Sequence, residues 1–146
     1  MAGQISNAGE FTALSTLFPT TGTTYAMLLA PTNGAWVIDD TTTLATAVTY
    51  EVTDTAYARK PIAWTAPALN GVTGSIVKNS VDINWTAWAL DQPITKKIAM
   101  MAIVDAVSGS TGKVLAYFIL ASGSELAPTA TQPVKILANQ LTISLN

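Results

Sequence analysis

Cysteine and histidine are both absent from this chain of 146 residues. Without cysteine there are no disulfides and no thiolate metal sites. Without histidine the chain lacks the commonest general base, the commonest metal ligand and the usual partner of a catalytic serine. Charge is scarce as well: 11% of residues are Asp, Glu, Lys or Arg, against about 25% in an average globular domain. No basic cluster exceeds a doublet, Arg59-Lys60 or Lys96-Lys97, and the net charge is −2, so nothing favours a phosphate backbone. The longest apolar runs, IAMMAIV and VLAYFILA, fall well short of the roughly 20 residues of a spanning helix. The opening MAGQISNAGE has neither the basic nor the apolar region of a signal peptide. The expectation is a chain with no metal, no cofactor, no nucleic-acid partner and no membrane.

What remains is an apolar chain, 49% hydrophobic, long enough for one domain over 1–146 with a core of its own. A surface with so little charge is poorly suited to a free monomer. It points to large buried interfaces, in an oligomer or a lattice.

The pattern along the chain is mostly that of strands. A short helix is expected first, over Ala8 to Phe18, capped by Asn7 with Glu10 three residues on as in a capping box. Phe11, Leu14, Leu17 and Phe18 share one of its faces, and Pro19 stops it. Residues 1–20 would then form a helical arm before a β-sandwich over 21–146. TTYAMLLA reads as a buried strand, and Asn33-Gly34 suits a tight hairpin turn. LATAVTYEV alternates like a strand, and YARKPIAWTA follows as another. In SIVKNSVDINW the apolar face switches near Asn79, as at a bulge. KKIAMMAIVDA and GKVLAYFILA form a hairpin at the centre of the core. PVKILANQLTISL supplies one or two short strands around Ala138-Asn139. The fold class is therefore all-β in the main: an antiparallel β-sandwich, jelly-roll-like, with one short N-terminal helix. No internal repeat is present, so nothing resembles a fibre shaft.

Few residue groups carry chemistry. GSTGK, Gly109 to Lys113, lacks P-loop spacing and joins two strands, so it is read as a hairpin loop. The acids Asp39-Asp40, Glu51, Asp54, Asp82, Asp91 and Asp105 are scattered, and no spacing pairs two of them for glycoside hydrolysis; an enzyme is the weakest reading. Asp105 ends an apolar run, so a partly buried carboxylate there would need a cation or backbone N–H donors. Trp36, Trp85 and Trp88 could stack on sugars, although aromatic residues on strands more often fill cores or interfaces. Trp85 and Trp88, at a strand end, have the strongest claim to an exposed or interfacial role.

In their order these segments resemble a family of small bacteriophage virion proteins, tail-fibre-like. The likeness runs through ISNAGEFTALSTLF, TTYAMLLAPTN, YEVTDTAYARKPIAW, GSIVKNSVDINW, IAMMAIVDAVSGSTGKVLAYFIL and LANQLTISLN. It implies a non-enzymatic structural component of a phage virion, assembled in the bacterial host cytoplasm. With no shaft and few charges, a capsid decoration (cement) protein is the favoured form. It would bind the major capsid protein and stabilise the assembled shell as a homo-oligomer, with a trimer favoured. The alternative is a tail-fibre, baseplate or tail-tip subunit that contacts tail proteins and binds a host carbohydrate receptor.

The Arg59-Lys60 doublet is read last. Alternation puts Arg59 on the face of Tyr57 and Lys60 on the opposite face with Ile62 and Trp64. Pro61 lacks an N–H and marks an edge strand. Arg59 is thus expected to be a structural cation paired with Asp105 or Glu51, and Lys60 an edge-guarding charge. No residue is expected to be catalytic. The structural or interface candidates are Glu51, Tyr57, Arg59, Asp105, Trp85 and Trp88, with Phe11 and Phe18 on the arm.

Overall fold

A computed structural model describes residues 6–21, 23–31, 38–39, 41–71, 74–86, 88–91, 96–121 and 123–145. The first element is a helix, α1, Asn7–Leu17. Its cap is Ser6 rather than Asn7: the Ser6 hydroxyl accepts the Gly9 N–H at 3.3 Å. Glu10 closes no capping box. Its side chain turns inward, is buried, and accepts a 2.9 Å hydrogen bond from the Ser75 hydroxyl. Docking against the sheet outcompetes the local cap because a buried Ser75 hydroxyl needs an acceptor. Of the expected apolar face, Leu14 and Phe18 are buried, Phe11 is half-buried and Leu17 is exposed. Phe18 meets Trp64 edge-on, with ring centroids 5.1 Å apart.

The strands follow as β1, Thr24–Leu29, then β2, Lys60–Ile62, β3, Ala68–Asn70, β4, Gly74–Lys78, and β5, Ile83–Trp85. After these come β6, Met100–Val104, β7, Val114–Ile119, β8, Val134–Ile136, and β9, Thr142–Leu145. The pairing is antiparallel, in a four-stranded sheet β2-β1-β6-β7, a three-stranded sheet β3-β4-β9 and a two-stranded sheet β5-β8. The all-β expectation holds, and β6 and β7 form the expected hairpin with GSTGK in its loop.

Alternation along the four-stranded sheet divides its side chains between two cores. Ala26, Leu28, Met101 and Ile103 face Val77, Ile83, Trp85 and Val134 of the smaller sheets, and α1 closes this core with Leu14 and Phe18. Met27, Leu29, Met100, Ala102 and Val104 face the other way. They are covered by Ile38 and by a second helix, α2, Leu44–Val48. Every residue of β6 is consequently buried.

This helix replaces the strand expected at LATAVTYEV. Leu44, Ala47 and Val48 fall at i, i+3 and i+4, which serves a helical face as well as a strand pattern. Thr43 caps it, accepting the Thr46 N–H at 3.2 Å. The end of that segment keeps one strand-like bridge, Glu51 opposite Leu29, made by the Ala30 N–H on the Tyr50 carbonyl and the Val52 N–H on the Leu28 carbonyl.

The switch of face near Asn79 is not a bulge within one strand. The chain leaves β4, turns a corner and enters β5 in a different sheet. The buried Asn79 holds that corner to another. Its Nδ2 donates to the carbonyls of Val81 and Leu137, both at 2.9 Å, and its Oδ1 accepts the Leu141 N–H at 2.8 Å. The expected turn at Asn33-Gly34 and the indole of Trp36 lie outside the described residues.

Candidate functional site

The densest polar cluster forms where the segment after α2, the approach to β2 and the β6–β7 loop converge. Arg59 is its centre. Its side chain is 2% exposed and its ion pair is with Glu51, not Asp105. The contact is bidentate: Nε donates to Oε1 at 2.8 Å and Nη2 to Oε2 at 2.7 Å. Nη2 also donates to the Gly109 carbonyl at 2.8 Å, and Nη1 to the Ala106 carbonyl at 3.0 Å. The guanidinium thereby ties Glu51 to the hairpin loop. Gly109 can present its carbonyl because it occupies the left-handed region, with φ 74°.

Asp105 is exposed instead, and it accepts the Lys113 N–H across the base of the same loop. The apolar run before it suggested burial, but the strand ends one residue earlier, at Val104.

Tyr57 completes the cluster, on the side of Arg59 as expected. Its hydroxyl donates to Glu51 Oε1 at 3.1 Å and accepts the Leu28 N–H at 3.0 Å. Burial, reinforced by the Glu51 charge, raises its pKa well above the ordinary phenol value. The hydrogen bonds to Glu51 likewise hold Arg59 firmly in its charged form. The ring of Tyr57 stacks on Trp88, with centroids 6.4 Å apart.

Trp85 and Trp88 are both buried within the chain, whereas an exposed or interfacial pair was expected. Trp85 ties β5 to the approach of β2, since its Nε1 donates to the Ala58 carbonyl at 2.9 Å. Neither indole offers a face for stacking a sugar. Their place at a strand end had suggested exposure, but that end folds back over Tyr57. Asp54 secures it, accepting the N–H groups of Ala89 and Leu90 at 2.9 and 3.0 Å and that of Ala56 at 2.8 Å. These bonds, the Ala89 bond foremost, lower its pKa. The Asp54–Ala56 contact is an Asx turn, which TDTA could have signalled. The contacts to Ala89 and Leu90 carry no local sequence mark.

A hollow of about 340 Å³ opens beside the cluster, between Val52–Asp54 and Val107–Gly109. Of the charged groups bordering it, Arg59 and Glu51 are committed to each other and Asp54 to backbone N–H groups. A bidentate guanidinium–carboxylate pair with satisfied neighbours is a brace and not a nucleophile or a general base. Among the described residues no group of three or more His, Cys, Asp or Glu could hold a metal ion. No described helix is long and apolar enough to cross a membrane.

Comparison with known proteins points to a structural family. The model of one family, described as Podophage GP4 fiber I protein gp80, matches residues 4–144. No curated protein and no solved structure matches the chain. Covered over nearly its whole length, the chain belongs to this family of podophage fibre proteins, and it is a structural component of a phage virion.

Proposed function

We propose that this fibre-family chain is a non-enzymatic subunit of a fibre on the phage particle, working by assembly with its own copies and with other virion proteins. The observation that carries the reading is the family match over residues 4–144. The interior supports it. Buried polar groups such as Arg59, Glu10, Ser75 and Asn79 bond other side chains or backbone groups, as in a part built to be rigid.

The capsid decoration role remains as a second reading. One feature favours it: the chain has no repeat from which a shaft could be built. The two readings differ in copy number and in phenotype. Quantitative mass spectrometry of purified particles is expected to count tens of copies or fewer, and particles lacking the protein are expected to adsorb poorly while keeping their heat stability. Hundreds of copies per particle, with fragile shells and normal adsorption, would establish the decoration role and end the fibre reading.

A further inference from the structure

We propose that the outer edge of β7 pairs, antiparallel and across a two-fold axis, with the β7 edge of a second copy of this chain. The pairing stands whether the chain sits on a fibre or on a shell.

The two edges of the four-stranded sheet differ in kind. At one edge, β2 carries Lys60 and Pro61, and the chain beyond it is stitched to the next sheet. Thr65 N–H donates to the Lys78 carbonyl and Ser80 N–H to the Ala63 carbonyl, both at 2.8 Å, around a Trp64–Asn79 bridge. At the other edge, no strand among the described residues pairs with the outer side of β7. This edge is six residues long, reads VLAYFI and contains neither charge nor proline. Sheet proteins guard such edges with lysine, proline, bulges or cover. A bulge at Leu115, where Ile103 pairs with Ala116 but Val104 with Val114, interrupts only its first end; the regular stretch 116–119 is left as a template for another strand.

Side chains of an added strand would point alternately to the two faces of the sheet, and the surface beside β7 is hollowed on both. One hollow, of about 370 Å³, lies between Asp39, Thr42 and the Val114–Tyr117 stretch. The other, of about 260 Å³, opens between the β6–β7 hairpin and β8 and is walled by Phe118, Leu120, Leu126 and Ile136 among others. Tyr117 and Ile119 are 36% and 53% exposed beside the edge.

β7 itself fits as the occupant. No charged residue occurs from Val114 to Ser124, so a two-fold pairing centred on Tyr117, which then lies opposite Tyr117 of the second copy, brings no charges together. The two Lys113 side chains would sit at opposite ends, roughly 25 Å apart at the rise of a strand. In the continuous sheet the second copy's Phe118 faces the same core side as the first, beside the apolar hollow. Two strips of this length bury on the order of 500 Å² per copy, near the lower limit for a specific interface, so the dimer should dissociate on dilution.

The test uses the full chain. Sedimentation across micromolar concentrations is expected to show a monomer–dimer equilibrium, and the double variant Tyr117→Lys/Ile119→Lys is expected to be monomeric with an unchanged circular dichroism spectrum. Because the chain lacks cysteine, a Tyr117→Cys variant reports the contact independently. It should form an intermolecular disulfide under mild oxidation, which needs Cα atoms within about 7 Å. Leu69→Cys, exposed on β3, should not. A wild-type monomer at every concentration, an oligomer indifferent to the lysines, or equal crosslinking at both cysteines overturns the proposal. So does a chain that covers β7 only with a different virion protein.

Discussion

Arg59 is buried and Glu51, its side chain 16% exposed, nearly so, and removing Arg59 would leave that carboxylate largely desolvated without its cation. Arg59→Ala is expected to cost about 3–5 kcal/mol in urea unfolding, the usual cost of leaving one member of a buried pair alone. Arg59→Lys should recover little, since an ammonium cannot reproduce the fork. A loss below 1 kcal/mol for the alanine variant would mean that the pair behaves as a surface contact. Asn79→Ala should be of similar severity, because it leaves the Leu141 N–H and two carbonyls unpaired at roughly 1–3 kcal/mol per buried group. The sequence exposed part of this. Alternation put Arg59 with Tyr57, and Glu51 was one of two expected partners. Asn79 showed only as a break in an apolar pattern, since its three partners lie at Val81, Leu137 and Leu141, two of them about sixty positions away. Glu10 was misplaced for the same reason: its acceptor role is toward Ser75, 65 positions on.

At the scale of elements, the β6–β7 hairpin was plain from two apolar runs around a Gly/Ser loop. The segment at Leu44 was not, because five residues with apolar positions at i, i+3 and i+4 serve either period. What selected the helix was the outer face of the four-stranded sheet, which needed cover. The hairpin loop depends on Gly112, whose φ is 138°. A β-carbon there would collide with the Asp105 carboxylate and press on Ala106 and Leu44. Gly112→Ala is expected to cost about 1–3 kcal/mol, as a non-glycine held in a forbidden backbone region does, and to lower the thermal midpoint. Gly71→Ala, also at positive φ but with open space around it, should cost less. Equal losses would show that backbone strain alone matters and that the contact with Asp105 does not.

The whole molecule should show a plateau of stability bounded by its carboxylates and by Tyr57. Asp39, Asp54 and Asp82 lie below their ordinary value of 3.8, and Glu125 below 4.5. The chief causes are hydrogen bonds from Thr41, from the Ala89 N–H, from Lys135 and from backbone N–H groups respectively. Groups lowered on folding stabilise the fold fully above their ordinary values and lose that contribution as pH falls toward the folded ones. Tyr57 moves the other way, above its ordinary 10.0. Its contribution is complete below that value and is lost as pH rises past it. The thermal midpoint should therefore be level from about pH 5 to 9, fall below about pH 4 and fall again above about pH 10. The alkaline loss should be smaller in Tyr57→Phe. An unchanged alkaline limb in that variant would remove Tyr57 as its source.

The corner held by Asn79 also bears on how the chain acquires its fold. β4 pairs with β9, Ser75 with Leu145 and Lys78 with Thr142, and the Asn79 bonds lie in the same seam. Until the β9 segment arrives, β4 has only the short, exposed β3 beside it, and Val77 has no strand on its other flank. Contacts between such distant parts of a chain are entropically slow to close. Folding should accordingly be a late, concerted event on the scale of milliseconds to seconds. A nascent chain lacking β9 would display the apolar interior of its half-formed sandwich to whatever binds such surfaces in the host cell.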